Sequence, residues 1–247
     1  MRTRIRTVKA RIVTFVLQSR DKLLQSGYTH CQKRRSGPNY SMPFSVQQFL
    51  DDKFYGFLEA GAEQAQESIK QLARYLRNHE GDYEIFLALL NQARNIKQNT
   101  DAQLIKTIMP GLEREDIQSL SDSLRQIPEA VSHIVRMLLA AQECVSTVDF
   151  LPFADGIEVT AGLLVAMVEQ LRNLCEIEKA SALNDRLQEL VNRAENMVDA
   201  WFGDANQVGL DPLKPVILMD LTKALDTLTA RLSNTAELVM QIVLKNA

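Results

Sequence analysis

SALNDRLQELVNRAENMVDAW, residues 181–201, decides the fold class. Its apolar residues fall at Leu183, Leu187, Leu190, Ala194, Met197 and Trp201. The steps alternate four and three, which is the seam of a helix in a left-handed bundle. Glu195 and Asp199 flank that seam four residues apart, so both carboxylates leave one helical face. Like charges at that spacing repel. Either a cation sits between them or both are solvated.

The next segment repeats the rhythm at Leu221, Leu225, Leu228, Leu232, Thr235, Val239 and Ile242, with Asp226 beside the seam. Two consecutive helices of this kind can bring Glu195, Asp199 and Asp226 together. Three hard oxygen ligands suit Mg²⁺, Ca²⁺ or Mn²⁺.

Outward from this pair, the chain reads as helices throughout. It has 247 residues, 46% hydrophobic and 24% charged, with only ten Gly and seven Pro. These are values of a water-soluble globular protein, and an all-α fold is expected. No stretch reads as the roughly 20 apolar residues of a membrane span. Helices are expected at about residues 50–78, 82–109 and 113–146, then at about 155–175, 180–202 and 212–245. Small residues Ala60, Gly61 and Ala62 permit close approach to the first helix. Asp82 caps the second. Pro128 should kink the third or cost it a hydrogen bond. Asp155 with Glu158 forms a capping box for the fourth, residues 203–209 form a loop, and Asp211-Pro212 opens the sixth.

The order suggests a duplication, with a first three-helix bundle in residues 42–148 and a second in 149–247. An offset of 101 places Leu120, Leu124, Ile127 and Val131 on Leu221, Leu225, Leu228 and Leu232. An offset of 98 places Lys97 and Asp101 on Glu195 and Asp199. Arg125 and Glu129 then match Asp226 and Ala230. The second half clusters acids. The first mixes Lys97, Asp101, Arg125 and Glu129, two of each sign, which can neutralise itself without a metal.

Residues 1–41 differ from the rest. They hold ten Lys or Arg and one acid, Asp21, a net of +9. Removing them from 28 bases and 31 acids leaves 18 and 30, a net of −12. A basic arm and a targeting segment are alternatives. The preferred reading is a leader that is disordered or not native, with the domain opening at Met42. The −12 body disfavours nucleic acid. Cys31, Cys144 and Cys175 form no framework and read as idle thiols. His30, His79 and His133 are scattered and receive no chemistry. Glycine-rich phosphate loops do not occur. No Glu has His three residues later, which argues against a carboxylate-bridged metal enzyme.

These residues resemble a known family. ExxxD on a helix, twice per chain in two three-helix bundles, marks PhoU-like proteins. Glu195-Asn-Met-Val-Asp199 is similar to the second ExxxD of the PhoU-related branch that accompanies Pit-type phosphate transporters. Glu113-Arg-Glu-Asp-Ile117 resembles its "REDI" helix start, and residues 51–67 resemble its first helix. The resemblance spans roughly residues 50–245 as a pattern of helices.

It implies metal ions, iron among them, on the acidic motifs. It also implies a non-enzymatic, cytoplasmic role in phosphate transport or its regulation, through protein contacts. A Pit-type transporter and further copies of the chain are the expected partners, with docking at the inner face of the membrane. Lys97 stands where the family's first glutamate belongs, and Arg125, Ala230 and Ser233 stand where acids are usual. The first metal site is therefore expected to be lost and the second, Glu195, Asp199 and Asp226, depleted. The alternative is a general helical scaffold without the metal chemistry.

Overall fold

Long apolar stripes at helical spacing, broken by few Gly and Pro, leave little but helix. The computed structural model describes residues 44–78, 81–107, 110–141, 149–174, 176–205 and 213–246. Among these the helices are α1 (Phe44–Asn78), α2 (Tyr83–Lys106), α3 (Arg114–Ala140), α4 (Leu151–Glu169), α5 (Ile177–Ala205) and α6 (Leu213–Asn246). A 3-10 turn, Gln170–Asn173, extends α4. No strand occurs among the described residues. The basic leader, the three cysteines, His30, His79 and Asp211-Pro212 lie outside them.

α1, α2 and α3 pack on one another, and so do α4, α5 and α6. The halves join through α1 on α4 and α3 on α6. These four helices contact one another in a ring, while α2 packs on α1 and α3, and α5 on α4 and α6. One cluster of buried side chains runs through all six helices.

Positions aligned by the two offsets are alike in burial. Leu120, Leu124, Ile127 and Val131 are buried, and so are Leu221, Leu225, Leu228 and Leu232. At the other offset Leu89, Ala93 and Thr100 match Leu187, Val191 and Val198, all buried.

Local chemistry sets several boundaries. Asp82 accepts from the Glu84 N–H, as expected of a cap. Gly61 is the point of close approach: a Cβ there would meet Leu124 Cδ1 at 3.3 Å and Ile96 Cγ2 at 4.0 Å. α3 runs through Pro128, which is buried.

Other expectations are corrected. α4 begins earlier than Asp155, with Asp149 accepting from the Leu151 N–H and Pro152 in the first turn. Asp155 and Glu158 do not form a capping box; both hold Arg77 at the end of α1. α5 continues to Ala205, so residues 203–205 are helix rather than loop. Its buried face centres on Leu187, Val191, Ala194 and Val198. Leu183, Met197 and Trp201 are only partly buried against the core. A helix facing both α4 and α6 needs a wider stripe than a two-helix seam.

Leu151–Asn173 is long and apolar enough to cross a membrane by length and composition, contrary to the sequence expectation. Here it is a central helix, packed on α1, α5 and α6. Phe153, Ile157, Leu164 and Val168 are buried among them. Contact with three neighbours explains apolar residues around most of its circumference.

Candidate functional site

On the α2–α3 surface, the Lys97 ammonium lies 2.5 and 2.6 Å from the two carboxylate oxygens of Asp101. They stand one turn apart on α2, and the Lys97 side chain is only 12% exposed. Arg125, on α3, bonds Glu129 at 3.0 Å. It also donates twice to Asp122, at 3.1 and 3.0 Å. Arg94 reaches Glu129 at 3.7 Å. The cluster therefore holds Arg94, Lys97 and Arg125 against Asp101, Asp122 and Glu129. It is charge-balanced, but larger than the four residues expected.

Asp122 is the member the sequence reading missed. Its signal was available: Arg125 and Gln126 stand three and four residues on, within helical reach. Burial alone would raise its carboxyl's pKa. Hydrogen bonds from Gln126 and Arg125, with the nearby Arg125 and Lys97 charges, more than offset this and hold it below the ordinary value. Burial likewise opposes the Arg125 charge, while Asp122 and Glu129 reverse that and raise its pKa. Salt bridges occupy the surface where the first acidic motif would lie.

On the α5–α6 surface, Ser233 donates to Gln188 Oε1 at 2.7 Å, which fixes the antiparallel register. Seven residues on from Gln188 is Glu195, and seven back from Ser233 is Asp226, so the two share a level. Glu195 is half-buried, whereas Asp199 and Asp226 are exposed. Among the described residues, no three His, Cys, Asp or Glu side chains gather closely enough to hold a metal ion. This register lets Glu195 and Asp226 approach, but among the described residues Glu195, Asp199 and Asp226 do not assemble into a three-ligand site. The donor set present does not fit a bound divalent ion.

Charged struts tie the halves together at their ends. Arg77 on α1 binds Asp155 at 2.6 Å and Glu158 at 2.7 Å on α4. Its pKa is raised by these bonds, that to Asp155 first. Arg172, after α4, binds Glu59 and Asp52 on α1 and lies 5.6 Å from the Tyr55 ring centre. Lys245 on α6 binds Glu113 and Asp116 at the start of α3. The acidic "REDI" turn thus serves as an anchor for α6. Trp201 packs edge-on to Phe150, with ring centres 5.1 Å apart.

No family model matches the sequence, and no curated protein matches it. Solved structures do. One is a PhoU-like protein from Shewanella oneidensis MR-1, with TM-score 0.57 and 12% identity, covering 78% of this chain and 99% of that one. Another, from the same organism, is described as a PhoU-like phosphate regulatory protein. It has TM-score 0.60 and 12% identity, over the same shares of the two chains. Helix order, the paired three-helix halves and these matches agree: the chain has the PhoU-like fold.

Proposed function

We propose that this chain is a non-enzymatic accessory or regulatory protein of inorganic phosphate transport, acting by protein–protein contact. The carrying observation is the fold, shared over 78% of the chain with a protein described as a phosphate regulator. The surface supports contact rather than chemistry. The motif positions on α2 and α3 carry ion pairs, and no metal-competent cluster occurs among the described residues. A Pit-type transporter is the proposed partner, met at the cytoplasmic face of the membrane, with the chain acting as a homo-oligomer.

Deleting the gene and measuring orthophosphate uptake tests this. Uptake should change and return on complementation with the parent chain. Unchanged uptake in phosphate-replete and phosphate-starved cells would refute it.

A second reading, a helical interaction scaffold outside phosphate metabolism, is favoured by the self-neutralised cluster of Lys97, Asp101, Asp122 and Arg125. It predicts the unchanged result.

A further inference from the structure

α2, α3 and α6 line an open groove of about 870 Å³. That lies within the range of small-molecule sites, roughly 300–1,000 Å³. Its charge is opposite to that of the body. Arg94, Arg136, Lys223 and Arg231 line it, against Glu129 and Asp220, a local net of +2. Residues 42–247 taken together, the groove included, carry −12.

The cations are also under-neutralised. Arg94 has a carboxylate partner, Glu129, at 3.7 Å. Glu129 is simultaneously bound by Arg125. Among the described residues Arg136 meets only the His133 Nδ1, at 3.0 Å, an interaction in which the ring must accept. Arg231 donates to a backbone carbonyl, that of Gln126. Lys223 has no ion pair among the described residues, and is exposed. A positive groove of this kind is set up to receive an anion.

The cations form two rows. Arg94 stands beside Glu129, and Arg136 lies seven residues further along α3, about 10 Å away. On α6, Arg231 and Lys223 are eight residues apart, about 12 Å. The helices are antiparallel, with Arg231 at the level of Gln126. Arg94 and Arg231 thus mark one row, and Arg136 and Lys223 the other. Leu87, Leu90 and Ala224 also line the groove. A single tetrahedral anion engages one row. A chain of phosphates engages both.

We propose that this groove binds a linear polyphosphate, the chemistry shared by a nucleoside triphosphate and a short inorganic chain. Such a site leaves no glycine motif, because side chains from three helices replace the backbone cradle of a phosphate loop. Binding here requires nothing of a transporter.

The test is calorimetry on the full chain at fixed ionic strength. The probes are tripolyphosphate, ATP, orthophosphate and a Glu-rich peptide. Tripolyphosphate should bind saturably, and orthophosphate at least tenfold more weakly. ATP that binds and competes identifies a nucleotide as a source; ATP that does not bind leaves the inorganic chain. Lys223→Glu and Arg136→Glu, both on exposed positions, should each weaken tripolyphosphate about tenfold or more, the scale of one charge-assisted hydrogen bond. Lys179→Glu, at the start of α5, should leave it unchanged, and circular dichroism should show all variants folded. The proposal is overturned if tripolyphosphate does not bind, if orthophosphate binds as tightly, or if only the peptide binds. Groove variants that fold and bind like the parent overturn it equally.

Discussion

The Lys97 ammonium sits 2.5 Å from Asp101 Oδ1, one turn along the same helix. A built-in cation thus stands beside the carboxylate of the degenerate motif. The pair is asymmetric, since the Lys97 side chain is 12% exposed and that of Asp101 41%. Removing Asp101 leaves a largely buried ammonium without its partner, whereas removing Lys97 leaves a carboxylate that water can reach. Asp101→Ala should therefore cost about 1–2 kcal/mol, and Lys97→Met about 0–1 kcal/mol. Urea denaturation of both variants decides it. Equal costs, or the reverse order, would contradict the asymmetry.

Asp122 makes stability depend on pH. Its carboxyl is held below the ordinary value in the folded chain. The folded state then binds fewer protons than the unfolded one. The contribution is complete above the unfolded value, about 4, and is lost as pH falls through the lower folded value. Since the side chain is 42% exposed, solvent screening limits it to about 0.5–1 kcal/mol. The stability gap between the parent and Asp122→Asn should be widest near pH 6 and shrink below about pH 4. A gap that grows on acidification would show the sign to be wrong.

Two glycines of α1 should respond oppositely. Gly61 is already crowded by Leu124, so Gly61→Leu should overpack the junction of α1, α2 and α3 and cost about 1–3 kcal/mol. A Cβ at Gly56 meets nothing within 4 Å. Gly56→Ala should instead stabilise by about 0.5–1 kcal/mol, the helical cost of glycine. Thermal unfolding of the two variants checks both signs, and a destabilised Gly56→Ala would show that the position serves a contact.

Much of the fold was legible because buried residues on α3 and α6 follow one strict spacing. Leu120, Leu124 and Ile127, with Leu221, Leu225 and Leu228, are buried where the pattern put them. Legibility failed where one residue has two uses. Asp155 and Glu158 look like a cap from sequence, but Arg77 arrives from 78 and 81 residues away and takes them. The α5 stripe misled because Val191 and Val198 lie beside the strict seam, and packing against two helices brings them inside. At the candidate site, spacing foretold the Lys97–Asp101 pair, whereas the Glu195–Asp226 level came only with the Ser233–Gln188 contact. It could not foretell convergence, which depends on side-chain directions at the helix edges. The positive groove was invisible for a similar reason, its cations being scattered from Arg94 to Arg231.

Metal addition should do little. Glu195, Asp199 and Asp226 share a face of the α5–α6 pair without forming a cluster. Mn²⁺, Mg²⁺ or Fe²⁺ added to chelator-treated protein should raise the melting temperature by less than about 1 °C, since only binding to the folded state stabilises. Asp199→Ala should leave the titration unchanged. Saturable binding that vanishes in Asp199→Ala would mean that the three carboxylates close around an ion.

Regulation of phosphate transport by contact is tested most directly with purified components. A Pit-type transporter from the same cell would be reconstituted in lipid vesicles, and initial orthophosphate uptake measured against increasing concentrations of the full chain. A saturable change in rate is expected, reached with no added nucleotide or metal. A rate that stays constant at every concentration, with no co-sedimentation of the chain on transporter-bearing vesicles, would contradict it.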